Sequence, residues 1–85
     1  MGYHTYKIPK GTLGQSSKIL EELHELIDAE AQGSKILILN ELSDMVGAIL
    51  AYLSTNHPSI TISDLIQMAE LTKSAFEDGT RCSLE

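Results

Sequence analysis

Three stretches of the chain repeat apolar residues at helical spacing, and they predict three helices. The predicted helices cover roughly residues 13–31, 35–55 and 64–78, because a helix gathers positions three and four apart on one face. The apolar stripe of the first helix consists of Ile19, Leu20, Leu23, Leu26 and Ile27. The apolar face of the third helix consists of Leu65, Met68, Ala69, Thr72, Ala75 and Phe76, and Gly79 is expected to end it.

The second helix is apolar around nearly its whole circumference. A helix of this kind is buried on all sides, so we expect the first and third helices to cover one face each. The remaining stripe would then meet another subunit; it consists of Leu39, Val46, Leu50 and Leu53. A membrane helix is the alternative, disfavoured by Asn40, Glu41 and Asp44 in its first half.

The segments between the helices carry turn and capping residues. Residues 1–11 lack periodicity and predict an extended arm. Thr12 followed by Gln15 fits a capping box with Thr12 as the N-cap, although Gly14 makes either of the next two serines the alternative start. At the other end of the helix, Gly33 predicts a C-terminal cap. Ser34 is then an N-cap candidate for the second helix, and Thr61 with Asp64 resembles a capping signal for the third.

These elements predict an all-α fold, in which an antiparallel helical hairpin and a third helix form an oligomeric helical bundle. The expected organisation is an N-terminal arm over 1–11, a helical domain over 12–81 and a tail over 82–85. The chain of 85 residues is too short for a second domain. The final Leu84-Glu85 resembles a cloning-site remnant.

Charge and cysteine content narrow the function. The formal net charge of −6 argues against a nucleic-acid or anionic-membrane surface, since both need a basic footprint. The single Cys82 cannot form an intramolecular disulfide. The N-terminus lacks the basic and then apolar order of a signal peptide, and we expect a cytoplasmic protein.

Two carboxylate motifs occupy facing positions of the predicted hairpin. Glu22 and Glu25 belong to an E-E-x-x-E motif, and Glu41 and Asp44 form an E-x-x-D motif. Glu25 and Glu41 both lie eight residues from Gly33, while Glu22 and Asp44 both lie eleven residues from it. In an antiparallel hairpin these pairs sit side by side, roughly 12–17 Å from the turn. Four carboxylates are therefore expected to converge.

Converging carboxylates predict a cation site. They cannot all stay ionised at close range without a cation or protons, and their hard oxygens suit Mg²⁺ or Mn²⁺. Mg²⁺ commonly bridges to substrate phosphates, which favours phosphoryl chemistry. Taken alone, E-E-x-x-E is more simply explained as a solvated acidic face. That explanation does not suit the matching E-x-x-D motif, which lies in an otherwise apolar helix. Glu21 is offset by one residue, so the register favours Glu22 over it.

E-E-x-x-E followed by E-x-x-D on the next helix resembles the all-alpha nucleoside triphosphate pyrophosphohydrolases, which include MazG, dimeric dUTPase, dCTP pyrophosphatase and phosphoribosyl-ATP pyrophosphohydrolase. The likeness to short MazG-like proteins, including forms carried by phages, extends from about Lys18 to Arg81 and includes the run from Asn40 to Met45. A late basic segment with Phe76 is also similar.

The resemblance implies hydrolysis of a nucleoside triphosphate between its α and β phosphates, giving a monophosphate and pyrophosphate. It implies Mg²⁺, with Mn²⁺ as the alternative, and a homodimer or homotetramer. The metal ligands carry over onto Glu22, Glu25, Glu41 and Asp44, and the catalytic group onto Glu21, Glu22 and Glu25. Glu21 would support the ligands or orient the attacking water. Ala48 and Ala51 stand where larger members often place an Asn, so recognition of the base by such an amide is not expected.

Other polar residues have plainer explanations beside the functional ones. Lys73 and Arg81 are candidates for binding the distal phosphates, or ordinary surface cations. Lys18 is explained by an ion pair with Glu22, four residues later. The arm residues Tyr3, His4 and Tyr6 could stack on a base, but anchoring of the arm is the simpler explanation.

Two other functions stay open. One is a phosphoribosyl-ATP pyrophosphohydrolase, which shares the glutamate pattern. The other is a non-catalytic helical module that oligomerises or binds a cation without turnover. A screen for pyrophosphate release from nucleoside triphosphates would discriminate them.

Overall fold

The computed structural model describes residues 4–78, which contain three α-helices and no strand. They are α1, Ser16–Gln32, α2, Lys35–Asn56, and α3, Ile62–Asp78. The predicted all-α class is confirmed. Gly79, Arg81, Cys82 and the predicted tail lie outside the described residues, as does Tyr3.

The predicted start of the first helix at Thr12 is wrong. Gln15 occupies the N-cap position and makes no side-chain capping bond. Thr12 instead begins a turn, in which its carbonyl accepts a 3.0 Å hydrogen bond from the amide of Gln15. Gly14 has a φ of 91°, which the interior of a right-handed helix excludes. The helix therefore begins at Ser16, the alternative start.

Three other predicted caps are confirmed, those at Gly33, at Ser34 and at Thr61 with Asp64. Gly33 ends α1 in the left-handed conformation, with a φ of 72°. The hydroxyl of Ser34 accepts a 3.2 Å hydrogen bond from the amide of Leu37 and caps α2. Thr61 and Asp64 form a reciprocal capping box at the start of α3, with hydrogen bonds of 3.0 and 3.1 Å from the amide of each residue to the side chain of the other.

The extensive packing between helices in the described part of the chain is that of α1 along α2. Few apolar side chains of the described residues are buried, and two of the four belong to alanines: Ile8 of the arm, Ala29, Leu37 and Ala48. Four carboxylates are buried as well: Glu21, Glu22, Asp28 and Glu41. Burying a charged group costs free energy unless the group is paired. The partners of these four carboxylates therefore determine how that cost is offset.

The expected burial of α2 beneath the third helix is wrong for the single chain, because α3 packs extensively on neither other helix. Leu39 is 66% exposed, Val46 47% and Leu50 43%, while Leu53 is half-buried. The most exposed large apolar side chains of α3 are Ile66, Met68, Leu71 and Phe76. Both helices therefore present apolar surface that the single chain leaves in water.

By length and composition α2 could also cross a membrane, with a mean hydropathy of 1.6 over its most apolar window. Core helices of soluble proteins can have the same length and composition. The polar residues predicted to disfavour a membrane helix include Glu41, which faces α1 and is fully buried.

Candidate metal centre

Four carboxylates from two helices converge on one point. Glu22 and Glu25 extend from α1, and Glu41 and Asp44 extend from α2. One oxygen of each can be chosen so that all four lie within 4.8 Å of one another. The packing of α1 along α2 thus brings together the residues that share an offset from Gly33. We refer to these four residues as the carboxylate cluster.

The deepest member of the carboxylate cluster is Glu41, whose side chain is 0% exposed. Within residues 4–78, neither of its oxygens accepts a hydrogen bond of good geometry, and Oε1 of Glu22 is in the same situation. A buried polar group without a hydrogen bond costs free energy, and an anionic one costs more. A hard cation bound here would interact favourably with these buried oxygens.

The electrostatic environment of the cluster favours protonation or a cation. Burial raises the pKa of Glu22, and the negative charge of Glu25 raises it further. Burial likewise raises the pKa of Glu25, with the adjacent Glu41 carboxylate as the next cause. Both shifts have the sign expected for acidic groups that are withdrawn from water and crowded by like charges.

Glu21 lies outside this group and has a different set of partners. Its Oε1 accepts a 2.8 Å hydrogen bond from the amide of Gly11 and lies 3.2 Å from Nζ of Lys18, while Nζ of Lys10 lies 3.8 Å from Oε2. Burial alone would raise its pKa, but the hydrogen bonds from Gly11 and Lys18 outweigh it and lower the pKa. Glu21 thus fastens the arm to α1. Its predicted role toward the attacking water stays a prediction.

The described part of the arm is held at a second residue, Asp28, which contacts His4 and Thr5. Nδ1 of His4 lies 2.9 Å from Oδ2 of Asp28, and the amide of Thr5 donates a 3.0 Å hydrogen bond to the same oxygen. The Thr5 hydroxyl donates to Oδ1, and Gln32 donates a 2.9 Å hydrogen bond to Oδ2. The Thr5 hydroxyl, together with these other donors, holds the pKa of Asp28 well below its usual range.

This attachment places His4 against the carboxylate cluster. Its Nε2 lies 3.3 Å from Oε2 of Glu41 and 3.6 Å from Oε1 of Glu25. The contacts with Asp28 agree with the anchoring role predicted for His4, but its proximity to the cluster was not predicted. Asp28 was also missed, although it follows Glu25 by three residues and so extends the acidic row along one face of α1.

A cavity of about 740 Å³ lies between the arm, α1 and α2. Its wall includes three members of the carboxylate cluster: Glu22, Glu25 and Asp44. It also includes three cationic residues: Lys7, Lys10 and Lys18. This volume is within the range of small-molecule sites, roughly 300–1,000 Å³. The cavity thus combines carboxylates with ammonium groups, a combination suited to a cation and an anionic ligand together.

Of the two predicted phosphate-binding residues, Lys73 is described and does not line the cavity. Lys73 lies on α3, where its Nζ is 3.5 Å from the carboxylate of Glu77. Arg81 lies outside the described residues. Sequence reasoning missed Lys7 and Lys10 as site residues, because an arm without periodicity gives no indication of the helix it will contact.

One of the two alanines noted in the sequence, Ala48, also belongs to the cavity wall. Tyr6 of the arm lines the cavity as well. Tyr6 also directs its hydroxyl toward the carbonyl of His24, at 3.5 Å. The described wall of the cavity therefore presents an aromatic side chain to a ligand, but no amide at position 48.

Comparison of the chain with known protein families, curated proteins and solved structures finds no match.

Proposed function

We propose that this protein is a metal-dependent nucleotide pyrophosphohydrolase. It would cleave a nucleoside triphosphate between the α and β phosphates and release a monophosphate and pyrophosphate. The observation that carries the proposal is the convergence of four carboxylates, one of them fully buried, beside a lysine-lined cavity. The choice of reaction is based on the resemblance of the two acidic motifs to those of the all-alpha pyrophosphohydrolases.

The residues of the carboxylate cluster fit a hard divalent cation. Glu22, Glu25, Glu41 and Asp44 would hold it, since Mg²⁺ and Mn²⁺ are bound by oxygen ligands. The buried oxygens of Glu41, which lack hydrogen bonds of good geometry, support this assignment. When bound, the cation supplies the charge neutralisation that a transferring phosphoryl group needs.

The lysines of the cavity wall would bind the phosphate groups of the substrate. Lys18 lies 3.2 Å from Glu21 and 3.3 Å from Glu22, so its ammonium is held at the edge of the cluster. Lys7 and Lys10 are exposed on the arm and can turn toward an anionic ligand. Hydrogen bonds between ammonium and phosphate groups are among the strong ones in proteins. Glu21 acts as a positioning residue that holds Lys18 and the arm in place.

The proposed active form is a homodimer or homotetramer in which an antiparallel α1–α2 hairpin and α3 build an oligomeric helical bundle. The exposed stripe of α2 supports this assembly, because soluble monomers generally avoid contiguous apolar patches. Full burial of each large apolar side chain is worth about 1.5–3 kcal/mol. A neighbouring subunit is also the route by which Lys73 could reach a cavity.

A screen for pyrophosphate release tests the proposal. The purified protein is incubated with standard and modified nucleoside triphosphates and with phosphoribosyl-ATP, each with Mg²⁺, Mn²⁺ or a chelator. Metal-dependent release from a nucleoside triphosphate supports the proposal. Release from phosphoribosyl-ATP alone would change the substrate, and cation binding without any release would indicate the non-catalytic module.

A further inference from the structure

We infer that His4 is a nitrogen ligand of the cation held by the carboxylate cluster, and that Asp28 orients it for this role. The inference rests on the proposed function in one respect, namely that the cluster binds a divalent cation. It adds to the site a residue of different chemistry, contributed by the arm and distant in sequence from both helical motifs.

The first support is the position of the imidazole. A ring nitrogen of His4, a carboxylate oxygen of Glu25 and one of Glu41 all lie within 4.8 Å of one another. Nε2 is the ring nitrogen that lies 3.3 Å from Glu41 and 3.6 Å from Glu25. Glu25 and Glu41 are also members of the carboxylate cluster, so the histidine and the cluster share two residues. Glu41 is fully buried, and its Oε1 accepts no hydrogen bond of good geometry from a described residue. A cation bound among His4, Glu25 and Glu41 would therefore meet a buried oxygen that this part of the chain leaves without such a bond.

The second support is the partner of the other ring nitrogen. A histidine that binds a metal almost always donates its second N–H to a carboxylate, a carbonyl or water, which fixes the tautomer and the ring orientation. Nδ1 of His4 has such a partner in Asp28, at 2.9 Å. With the proton on Nδ1, the lone pair of Nε2 is directed toward Glu25 and Glu41.

The third support is that Asp28 is itself held in place. It is buried and accepts hydrogen bonds from both the amide and the hydroxyl of Thr5, and from the side chain of Gln32. The arm is also attached at a second place, where the amide of Gly11 donates to Glu21. The Asp28 attachment has the further effect of fixing one imidazole against two carboxylates.

A nitrogen ligand has a consequence for metal choice. Imidazole suits transition metals, whereas carboxylate and water suit Mg²⁺ and Mn²⁺ alike. A site with His4 as a ligand should therefore favour Mn²⁺ over Mg²⁺ more strongly than one made of carboxylates alone. Replacing His4 should reduce Mn²⁺ affinity and leave Mg²⁺ affinity less affected.

Pulsed electron paramagnetic resonance of the Mn²⁺-loaded full chain tests the inference, because the spin-echo modulation reports nitrogen bound to manganese. The chain has three histidines, so the assignment can be made by substitution. We expect ¹⁴N modulation in the wild-type protein, its loss in His4→Ala, and its retention in His24→Ala and His57→Ala. Asp28→Asn should weaken Mn²⁺ binding by about 10-fold or more, the usual effect of losing a residue that orients a ligand.

The outcomes separate this inference from the proposed function. Mn²⁺ bound without ¹⁴N modulation, or modulation that survives in His4→Ala, overturns the role of His4 and leaves the pyrophosphohydrolase proposal standing. Modulation that depends on His4, in a protein that releases no pyrophosphate, supports the ligand and overturns the proposed reaction. A folded protein that binds neither cation overturns both.

Discussion

The amide of Gly11 donates a 2.8 Å hydrogen bond to Oε1 of Glu21, and this bond brings the end of the arm against the first turn of α1. The approach is close, because any side chain at Gly11 would collide with the backbone carbonyl of Ser17. The arm therefore depends on a glycine at this position for its contact with Glu21.

Gly11→Ala should displace the arm and destabilise the protein by about 1–3 kcal/mol, the usual range for an overpacked position. Gly47→Ala is the matched control, since a side-chain carbon at Gly47 meets nothing within 4 Å. Alanine in the interior of α2 should stabilise by roughly 0.5–1 kcal/mol. Urea denaturation of both variants measures the difference. Equal effects of the two substitutions would contradict the close approach of the arm.

Asp44→Asn should remove one negative ligand without disturbing packing, because Asp44 is exposed. Loss of several kcal/mol of charge stabilisation lowers turnover by about 100-fold or more. Glu30→Gln removes an exposed carboxylate of α1 outside the cluster and should leave turnover unchanged. Steady-state kinetics with saturating Mg²⁺ compares them. Wild-type turnover in Asp44→Asn would exclude this residue from the site.

The stability of the metal-free protein should decrease as the pH rises above about 4.5, the ordinary pKa of a glutamate. Glu22 and Glu25 have raised pKa values in the folded state, so the folded protein binds protons more readily than the unfolded one. Their contribution is fully present below the ordinary pKa and is lost as the pH passes through the raised values. Denaturation in the presence of a chelator, repeated with Glu22→Gln, measures this. An unchanged pH dependence in the variant would contradict the assignment.

The opposite dependence is expected at the acid end, from Asp28. Its pKa is lowered in the folded state, so its contribution is present above the ordinary pKa of 3.8 and is lost as the pH falls further. Asp28→Asn should flatten this acid limb. Glu30 is exposed on α1, so Glu30→Gln is the control variant and should leave the acid limb unchanged.

The double variant Lys7→Ala/Lys10→Ala should raise KM for a nucleoside triphosphate by about 10-fold, because two charge-assisted contacts with phosphate are lost. The effect should shrink with added salt, since both lysines are exposed. Lys35→Ala removes an exposed cation from the start of α2 and should leave KM unchanged. If KM is unaltered in the double variant, the phosphates bind elsewhere.

Static light scattering at micromolar concentration should give a mass at least twice the 9.3 kDa of one chain. The exposed Leu39 and Leu50 of α2 would be buried between subunits, so Leu39→Glu should shift the mass toward the monomer. Lys35→Glu adds the same residue to the first turn of α2 and serves as the control. A folded wild-type particle of 9.3 kDa would contradict the oligomer.

The pattern of the sequence predicts the helices and the carboxylate cluster because both depend on local periodicity. The equal offsets of Glu25 and Glu41 from Gly33 specify their proximity once α1 packs along α2. The start of α1 was mispredicted because a Thr-x-x-Gln pattern suits a turn as well as a capping box, and Gly14 decides between them through its positive φ.

The arm could not be placed from the sequence. His4 and Asp28 are separated by 24 residues, and no periodic pattern links them. The same is true of the lysines of the arm, whose role depends on which face of α1 the arm follows. The sequence also does not identify the surface that packs on the apolar face of α3. Periodicity identifies an apolar face but not what covers it.

The most direct test of the proposed reaction is ³¹P nuclear magnetic resonance of the products formed from the standard and modified nucleoside triphosphates. With Mg²⁺ or Mn²⁺, the account predicts nucleoside monophosphate and pyrophosphate in equal amounts. Neither product should form with a chelator or with Asp44→Asn. A nucleoside diphosphate with inorganic phosphate, or an unchanged triphosphate under all metal conditions, would contradict it.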